Sequence, residues 1–209
     1  MSSLDLHLSH LNACRCPWCG DDPLYVTYHD TVWGRPVLDS QELFAKLCLD
    51  GQQAGLSWIT ILRKQPAYEE AFHGFDPERV ASLSEVEQAG LLSNPGIVRN
   101  RLKIASIIRN AKAYLRLQER GVAFNDFLWQ FVDYRSLVNQ FESMREVPAE
   151  TALSREVSRA LKSEGFNFVG PTIVYAFMQA TGLINDHLIG CEQHAVCAEL
   201  AFSARTLID

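Results

Sequence analysis

Residues 94–121 read NPGIVRNRLKIASIIRNAKAYLRLQERG, and this stretch decides the fold class. After the Asn94-Pro95-Gly96 turn signal, Ile104, Ile107, Ile108, Ala111 and Leu115 recur at spacings of three and four, which puts them on one face of an amphipathic helix. Gly121 supplies a C-cap. The same reading extends outward. Asp39 and Glu42 are spaced as a capping box ahead of Leu43, Phe44, Leu47 and Cys48. Trp58, Ile59, Ile61 and Leu62 form a further run that Pro66 interrupts. Asp76-Pro77 sets an N-cap and first turn for Val80 and Leu83, and Ser84 with Glu87 forms another capping box. Asn125 opens a short helix within 124–132. Thr151–Glu164 is helical with Val157, Ala160 and Leu161 inward. Residues 165–170 form a tight connection, and Pro171 starts a helix ending near Gly182. No clean period-two alternation occurs, so the class is all-α. The least regular region is Tyr134–Ala149.

At 209 residues, 47% hydrophobic and 21% charged, the chain fits one globular domain over 1–209, or two lobes around one cleft. No repeat, low-complexity tract or linker divides it. No apolar run reaches membrane-spanning length, and Met1–Asn12 lacks a basic n-region followed by an apolar h-region. The expected compartment is the cytoplasm, with no membrane partner. Thiols stay reduced there, so the six cysteines read as metal ligands or core residues rather than disulfides. The formal charge of −6 argues against nucleic acid, but its distribution does not. Between Arg99 and Arg120, seven basic residues (Arg99, Arg101, Lys103, Arg109, Lys112, Arg116, Arg120) stand against Glu119. That segment is +6, leaving −12 elsewhere. A basic strip on an acidic body suits a phosphate backbone, and equally suits a solvated helix face.

Four constellations bear on chemistry. Cys16 and His29 near one end, with His187 and Cys191 near the other, would make a closed Cys2His2 zinc site that staples the chain ends. Cys16 with Cys19 is a competing C-x-x-C knuckle closed by the same pair, and His194 and Cys197 are further candidates. Buried thiols and surface imidazoles are the plain alternative. Trp18, Tyr25, Tyr28, Trp33 and Trp58 read either as core or as a stacking box for a flat or cationic ligand. Asp50-Gly51-Gln52-Gln53-Ala54-Gly55-Leu56-Ser57-Trp58 is either a carboxylate with a small-residue turn or a helix end with its loop. Phe166–Thr172 is either a phosphate-binding turn at a helix start or an ordinary αα-hairpin.

Taken in order, these pieces resemble the 3-methyladenine DNA glycosylase I family. The residues that carry the likeness are Cys16-Pro17-Trp18, Asp22-Pro23-Leu24-Tyr25, Tyr28-His29-Asp30 and Trp33-Gly34, then Gly51 through Trp58 and Gly96-Ile97-Val98-Arg99. Phe127-Leu128-Trp129, Gly165-Phe166, Phe168 through Thr172 and Asn185-Asp186-His187 complete it, over roughly 14–191. Several ordered motifs are more specific than any one. The tail 192–209 lies outside.

The resemblance implies an all-helical helix-hairpin-helix glycosylase with the motif over about 154–182. It implies one structural zinc on Cys16, His29, His187 and Cys191. It implies a base pocket of Tyr28, Trp58 and the functional carboxylate Asp50, with Trp18, Tyr25 and Trp33 around them and Gln53 and Ser57 along the same turn. Leu56 would wedge into the base stack, and Gly165, Gly170 and Thr172 would meet the DNA backbone. The implied activity is hydrolysis of the N-glycosidic bond of 3-methyladenine in double-stranded alkylated DNA, by a monomeric enzyme without lyase activity. The family usually carries Glu where this chain has Asp50, which keeps the charge one methylene shorter. Asp186 stands where related glycosylases carry a catalytic Asp, but it precedes a zinc ligand, which favours a structural role. The competing functions are a binder of modified bases that does not cleave them, and a thiol oxidoreductase using Cys16-Pro17-Trp18-Cys19. The latter would need strands that the pattern lacks.

Overall fold

A computed structural model describes residues 14–204, so the reading of Met1–Asn12 and the last residues of the 192–209 tail lie outside the described residues. Among the described residues there are ten α-helices: α1 (Pro23–Thr31), α2 (Ser40–Gln53), α3 (Trp58–Ala71), α4 (Pro77–Ala81), α5 (Glu85–Leu91), α6 (Arg101–Glu119), α7 (Phe124–Trp129), α8 (Ala152–Ser163), α9 (Pro171–Ala180) and α10 (Glu192–Ala204). Most of the expected caps form, although at α2 only the Asp39 half of the expected Asp39–Glu42 box does. Asp39 Oδ1 accepts from the amides of Gln41 and Glu42, both at 2.8 Å, and so starts α2. Asp76 starts α4, Ser84 and Glu87 complete a reciprocal box at α5, and Thr151 with Ser154 completes another at α8.

Helix α2 is the hub, packing on α3, α6, α7 and α9. Helix α8 packs on α9, and α4 on α6. The main core cluster includes Phe44, Leu47, Tyr68, Trp129, Val157, Tyr175 and Phe177, and a second, small one gathers Cys16, Leu188 and Cys191.

Several expectations change. Pro66 lies inside α3 and does not end it. An interior proline costs a helix roughly 3 kcal/mol, but Trp58, Ile61 and Leu62 before it and Tyr68 after it bury in one core, which holds the helix through it. On α6 burial extends to Ala113 and Leu117, on the far side of the helix from Ile104, while Leu115 is half-buried, because α6 packs on α2, α4, α5 and α7 rather than along a single seam. Helix α7 starts at Phe124 behind Ala123, and the Asn125 amide is met by Ser40 Oγ at 3.0 Å. On α8, Ala160 is half-buried. Among the described residues the all-α reading has one exception: β1 (Leu137–Val138) pairs in parallel with β2 (Ile184–Asn185). This bridge lies in the irregular region and ties it to the start of the Asn185-Asp186-His187 segment.

Two contacts fix the end of α2. Lys103 is buried rather than part of a surface strip, and its Nζ donates to the carbonyls of Gln52 and Ala54, both at 2.7 Å. A cation on the last carbonyls of a helix satisfies orphaned acceptors and complements the dipole. Gly51 packs so tightly that a Cβ there would sit 3.1 Å from the Phe168 Cβ. The small residue is what lets α2 meet the 165–170 connection. That connection is held in turn by Asn110, which exchanges two hydrogen bonds with Asn167, and by Ser158, which donates to Val169 O at 2.6 Å.

Candidate functional site

The last turn of α2 delivers Asp50 into a cavity of about 360 Å³. Asp50 and Gly51–Gln53 are therefore helical, and the loop begins at Ala54. Trp18, Tyr25, Tyr28, Trp33 and Trp58 all line this cavity, so the aromatic cluster is wall and core at once. Tyr28 and Trp58 are 5.5 Å apart between ring centroids, and Trp18 touches Tyr25 at 5.1 Å and Trp33 at 5.0 Å. Trp129, the fourth tryptophan, is core, its Nε1 donating to Val37 O at 2.9 Å.

Asp50 is 2% exposed. One carboxylate oxygen accepts from Lys46, one turn earlier on α2, and the Lys46 ammonium stands 3.9 Å over the centre of the Trp58 ring. The other oxygen, Oδ2, has no hydrogen-bond partner among the described residues, and neither does Trp58 Nε1. Unpartnered buried polar atoms are rare in folded proteins and call for a reason. Burial raises Asp50 above the ordinary carboxylate range despite Lys46, and burial lowers Lys46 despite Asp50. Burial, then the Asp50 charge, keep the Tyr28 hydroxyl protonated well above its usual range.

A second carboxylate lines the same cavity. Asp186 is also 2% exposed, but it accepts from Asn139 Nδ2 at 2.6 Å, Tyr175 Oη at 2.5 Å and Gln179 Nε2 at 2.7 Å. Burial, followed by the bond to Asp186, pushes the Tyr175 hydroxyl up.

Of the remaining candidates, Gln53 and Thr172 line the cavity and Ser57 does not. Ser57 is exposed at the start of α3, its hydroxyl 2.8 Å from Thr60 Oγ1. Leu56 is 41% exposed on the α2–α3 loop, and Gly165 and Gly170 bracket the α8–α9 connection. Lys46, Asn139, Tyr175, Gln179 and the 144–149 segment of the wall were missed in the sequence. Lys46 had a signal: it stands at i−4 from Asp50, the spacing of a helical ion pair.

At the back of the aromatic wall, Cys16, His29, His187 and Cys191 are all buried, with ligand atoms within 4.8 Å of one another. Cys16 Sγ lies 3.5 Å from His187 Nδ1, and Cys191 Sγ lies 3.6 Å from His29 Nε2 and from His187 Nδ1. The far nitrogens are oriented from outside: His29 Nδ1 is 2.7 Å from Asp30 Oδ1, and His187 Nε2 is 3.1 Å from Trp33 O. Hydrogen bonds from Cys16 and then from both imidazoles pull the Cys191 thiol toward thiolate. Such a set could hold one soft or borderline metal ion. Cys19 turns away, its thiol donating to Cys16 O at 3.3 Å. His194 bonds Asn139 O, and Cys197 faces Trp33 O. Gly34, at φ 82°, lets the chain pass the cluster, since a Cβ there would lie 2.9 Å from His187 Nε2.

The profile of the methyladenine glycosylase family matches residues 18–194. The DNA-3-methyladenine glycosylase of Haemophilus influenzae is 49% identical over 177 residues, covering 85% of this chain and 96% of that one. DNA-3-methyladenine glycosylase 1 of Escherichia coli K12 is 51% identical, covering 85% and 95%. A crystal structure of a 3-methyladenine DNA glycosylase I superposes with a TM-score of 0.85 at 50% identity, covering 86% of this chain and 98% of that one. One solved with 3-methyladenine bound gives 0.83 at 39% identity, covering 86% and 97%. The chain belongs to the methyladenine glycosylase family.

Proposed function

We propose that this protein hydrolyses the N-glycosidic bond of 3-methyladenine in alkylated DNA, releasing the free base and leaving an abasic site. The observation that carries the reading is the cavity itself. Its aromatic walls enclose a buried carboxylate with one oxygen unclaimed. A flat cationic base needs such walls and such a charge.

The leaving group explains how little machinery is required. Adenosine methylated at N3 carries a positive charge, so its glycosidic bond is already weakened. The protein must flip, select and hold the base. Flipping costs a few kcal/mol, and less for a damaged base. Stacking a cation on Trp58 and Tyr28 returns about 0.5–2 kcal/mol. Asp50 Oδ2 accepts a hydrogen bond from the base and favours its cationic form, which undamaged adenine lacks. Asp186 is held by three donors, which suits positioning of the segment that carries His187.

The α8–α9 unit is read as the helix-hairpin-helix, with Gly165, Gly170 and the exposed Thr172 at the DNA backbone and Leu56 as the wedge. The four-ligand cluster is read as a structural zinc site. Tetrahedral bonds of about 2.3 Å to sulfur and about 2.05 Å to nitrogen put neighbouring S and N ligands about 3.6 Å apart. Three sulfur–nitrogen pairs, at 3.5, 3.6 and 3.6 Å, match that edge, and with all four atoms within 4.8 Å of one another the set would close slightly around an ion. An ion there supplies no step of the reaction. Cys16 before α1 and His29 within it would thereby be tied to His187 and Cys191 before α10, behind Trp18 and Trp33. The protein is further read as a cytoplasmic, single-domain monomer without lyase activity, its two helical lobes meeting at the cavity. No described helix is long and apolar enough to cross a membrane.

Incubation with methylated duplex DNA tests the activity. Free 3-methyladenine and alkali-labile abasic sites are expected, with strands intact before alkali. Retention of the DNA with no free base would establish a binder instead.

A further inference from the structure

Trp58, on which a cationic base would stack, already carries a cation over its ring. The Lys46 ammonium is 3.9 Å from the Trp58 ring centre and bonds Asp50, the carboxylate assigned to the base. Asp50 Oδ2 is unclaimed, but a base stacking on the indole face that Lys46 covers needs Lys46 to leave.

The surroundings offer a destination. Tyr28, Lys46, Trp58 and Ala180 line two cavities, the one that holds Asp50 and a second of about 580 Å³. The second is acidic, with Asp39, Glu42 and Glu69 on its wall. Glu42 is exposed and stands one turn before Lys46 on α2, as Asp50 stands one turn after it. Residues four apart on a helix are neighbours, so Lys46 has a carboxylate within reach in either direction.

We propose that Lys46 is an internal, displaceable occupant of the base site, which lies on Trp58 and Asp50 and swings to Glu42 when a base enters. This rests on the assignment of the first cavity to the base. The exchange has a clear energetic logic. In the empty cavity Lys46 keeps Asp50 from being a buried charge without a partner, which is the costly state. On entry the base takes over Asp50 Oδ2 and the indole face, and Lys46 regains a partner at the rim of the second cavity. Lys46 thereby sets the affinity of the site: every ligand of this face competes with it.

Binding of free 3-methyladenine, read by tryptophan fluorescence, separates a competitor from a ligand-contacting or merely structural lysine. Lys46→Met removes the competitor and is expected to tighten binding about tenfold or more, the worth of a desolvated cation–π contact. Lys46→Arg keeps a cation and is expected to bind no more tightly than the wild type. Glu42→Gln removes the destination and is expected to weaken binding about twofold, the worth of an exposed helical pair. Unchanged or weaker binding by Lys46→Met overturns the proposal. Should that variant not fold, a crystal structure of the wild type with the base decides. Lys46 near Glu42 supports the proposal, and Lys46 still over Trp58 beside a bound base overturns it. A protein that neither binds nor releases 3-methyladenine would instead overturn the assignment of the cavity.

Discussion

Asp50 and Asp186 face one cavity, and both are 2% exposed, yet they are opposites in how they are held. Asp186 receives three hydrogen bonds, from Asn139, Tyr175 and Gln179. Asp50 receives one, from Lys46, and keeps an oxygen with no partner among the described residues. A saturated buried carboxylate holds the fold around it. A half-satisfied one, in an otherwise well-packed core, marks where a ligand completes the hydrogen bonding.

The largest effect should come from breaking the Asp50 side. Asp50→Asn removes a charged hydrogen bond to the base, worth about 1.5–3 kcal/mol, so release of 3-methyladenine should fall roughly ten- to a hundredfold. The pH profile sharpens the same point. Burial raises the Asp50 pKa, so the ionised form is lost at a higher pH than for an ordinary aspartate, near 3.9. Activity should fall as pH drops through that raised value, and the limb should vanish in Asp50→Asn.

The Cys16, His29, His187 and Cys191 cluster, read as a zinc site, comes next. Asp30 orients His29 and also pairs with Arg15. Asp30→Asn should weaken zinc retention by roughly 10–100-fold, measured against a chromophoric chelator. Asp186→Asn should chiefly lower stability, by about 1–3 kcal/mol in denaturant unfolding, because donors lose their acceptor. Its release of base should stay within about tenfold of wild type. A collapse of release in a stably folded Asp186→Asn protein would transfer the catalytic role to Asp186. The smallest effect is expected at Ser57, which lies outside the cavity. Ser57→Ala should leave release unchanged within about twofold.

The same contrast explains what was legible in the sequence. Caps are local chemistry, so Asp39, Asp76, Ser84 and Thr151 could be read from a few neighbouring residues. The Cys16, His29, His187 and Cys191 set and the five aromatic residues were already candidates in the sequence, and the ordered motifs were needed to choose among the alternatives, since no spacing rule joins Cys16 to His187. What escaped depends on distant contacts. Lys103 counted as one more charge in a basic strip until its contact with the end of α2 put it in the core. Pro66 read as a helix breaker because the core that holds α3 through it is non-local. The 144–149 wall has no period, and the β1–β2 bridge joins segments far apart in sequence. Lys46 needed only its distance to Asp50, four residues, but its place over Trp58 needed the fold.

The central claim is that the charge on Asp50 holds the flipped base. Single-turnover release of free 3-methyladenine from methylated duplex DNA, compared between wild type and Asp50→Asn at equal folded concentration, tests it most directly. The account predicts rapid release by the wild type and a loss of at least about tenfold in the variant. Equal rates would contradict it.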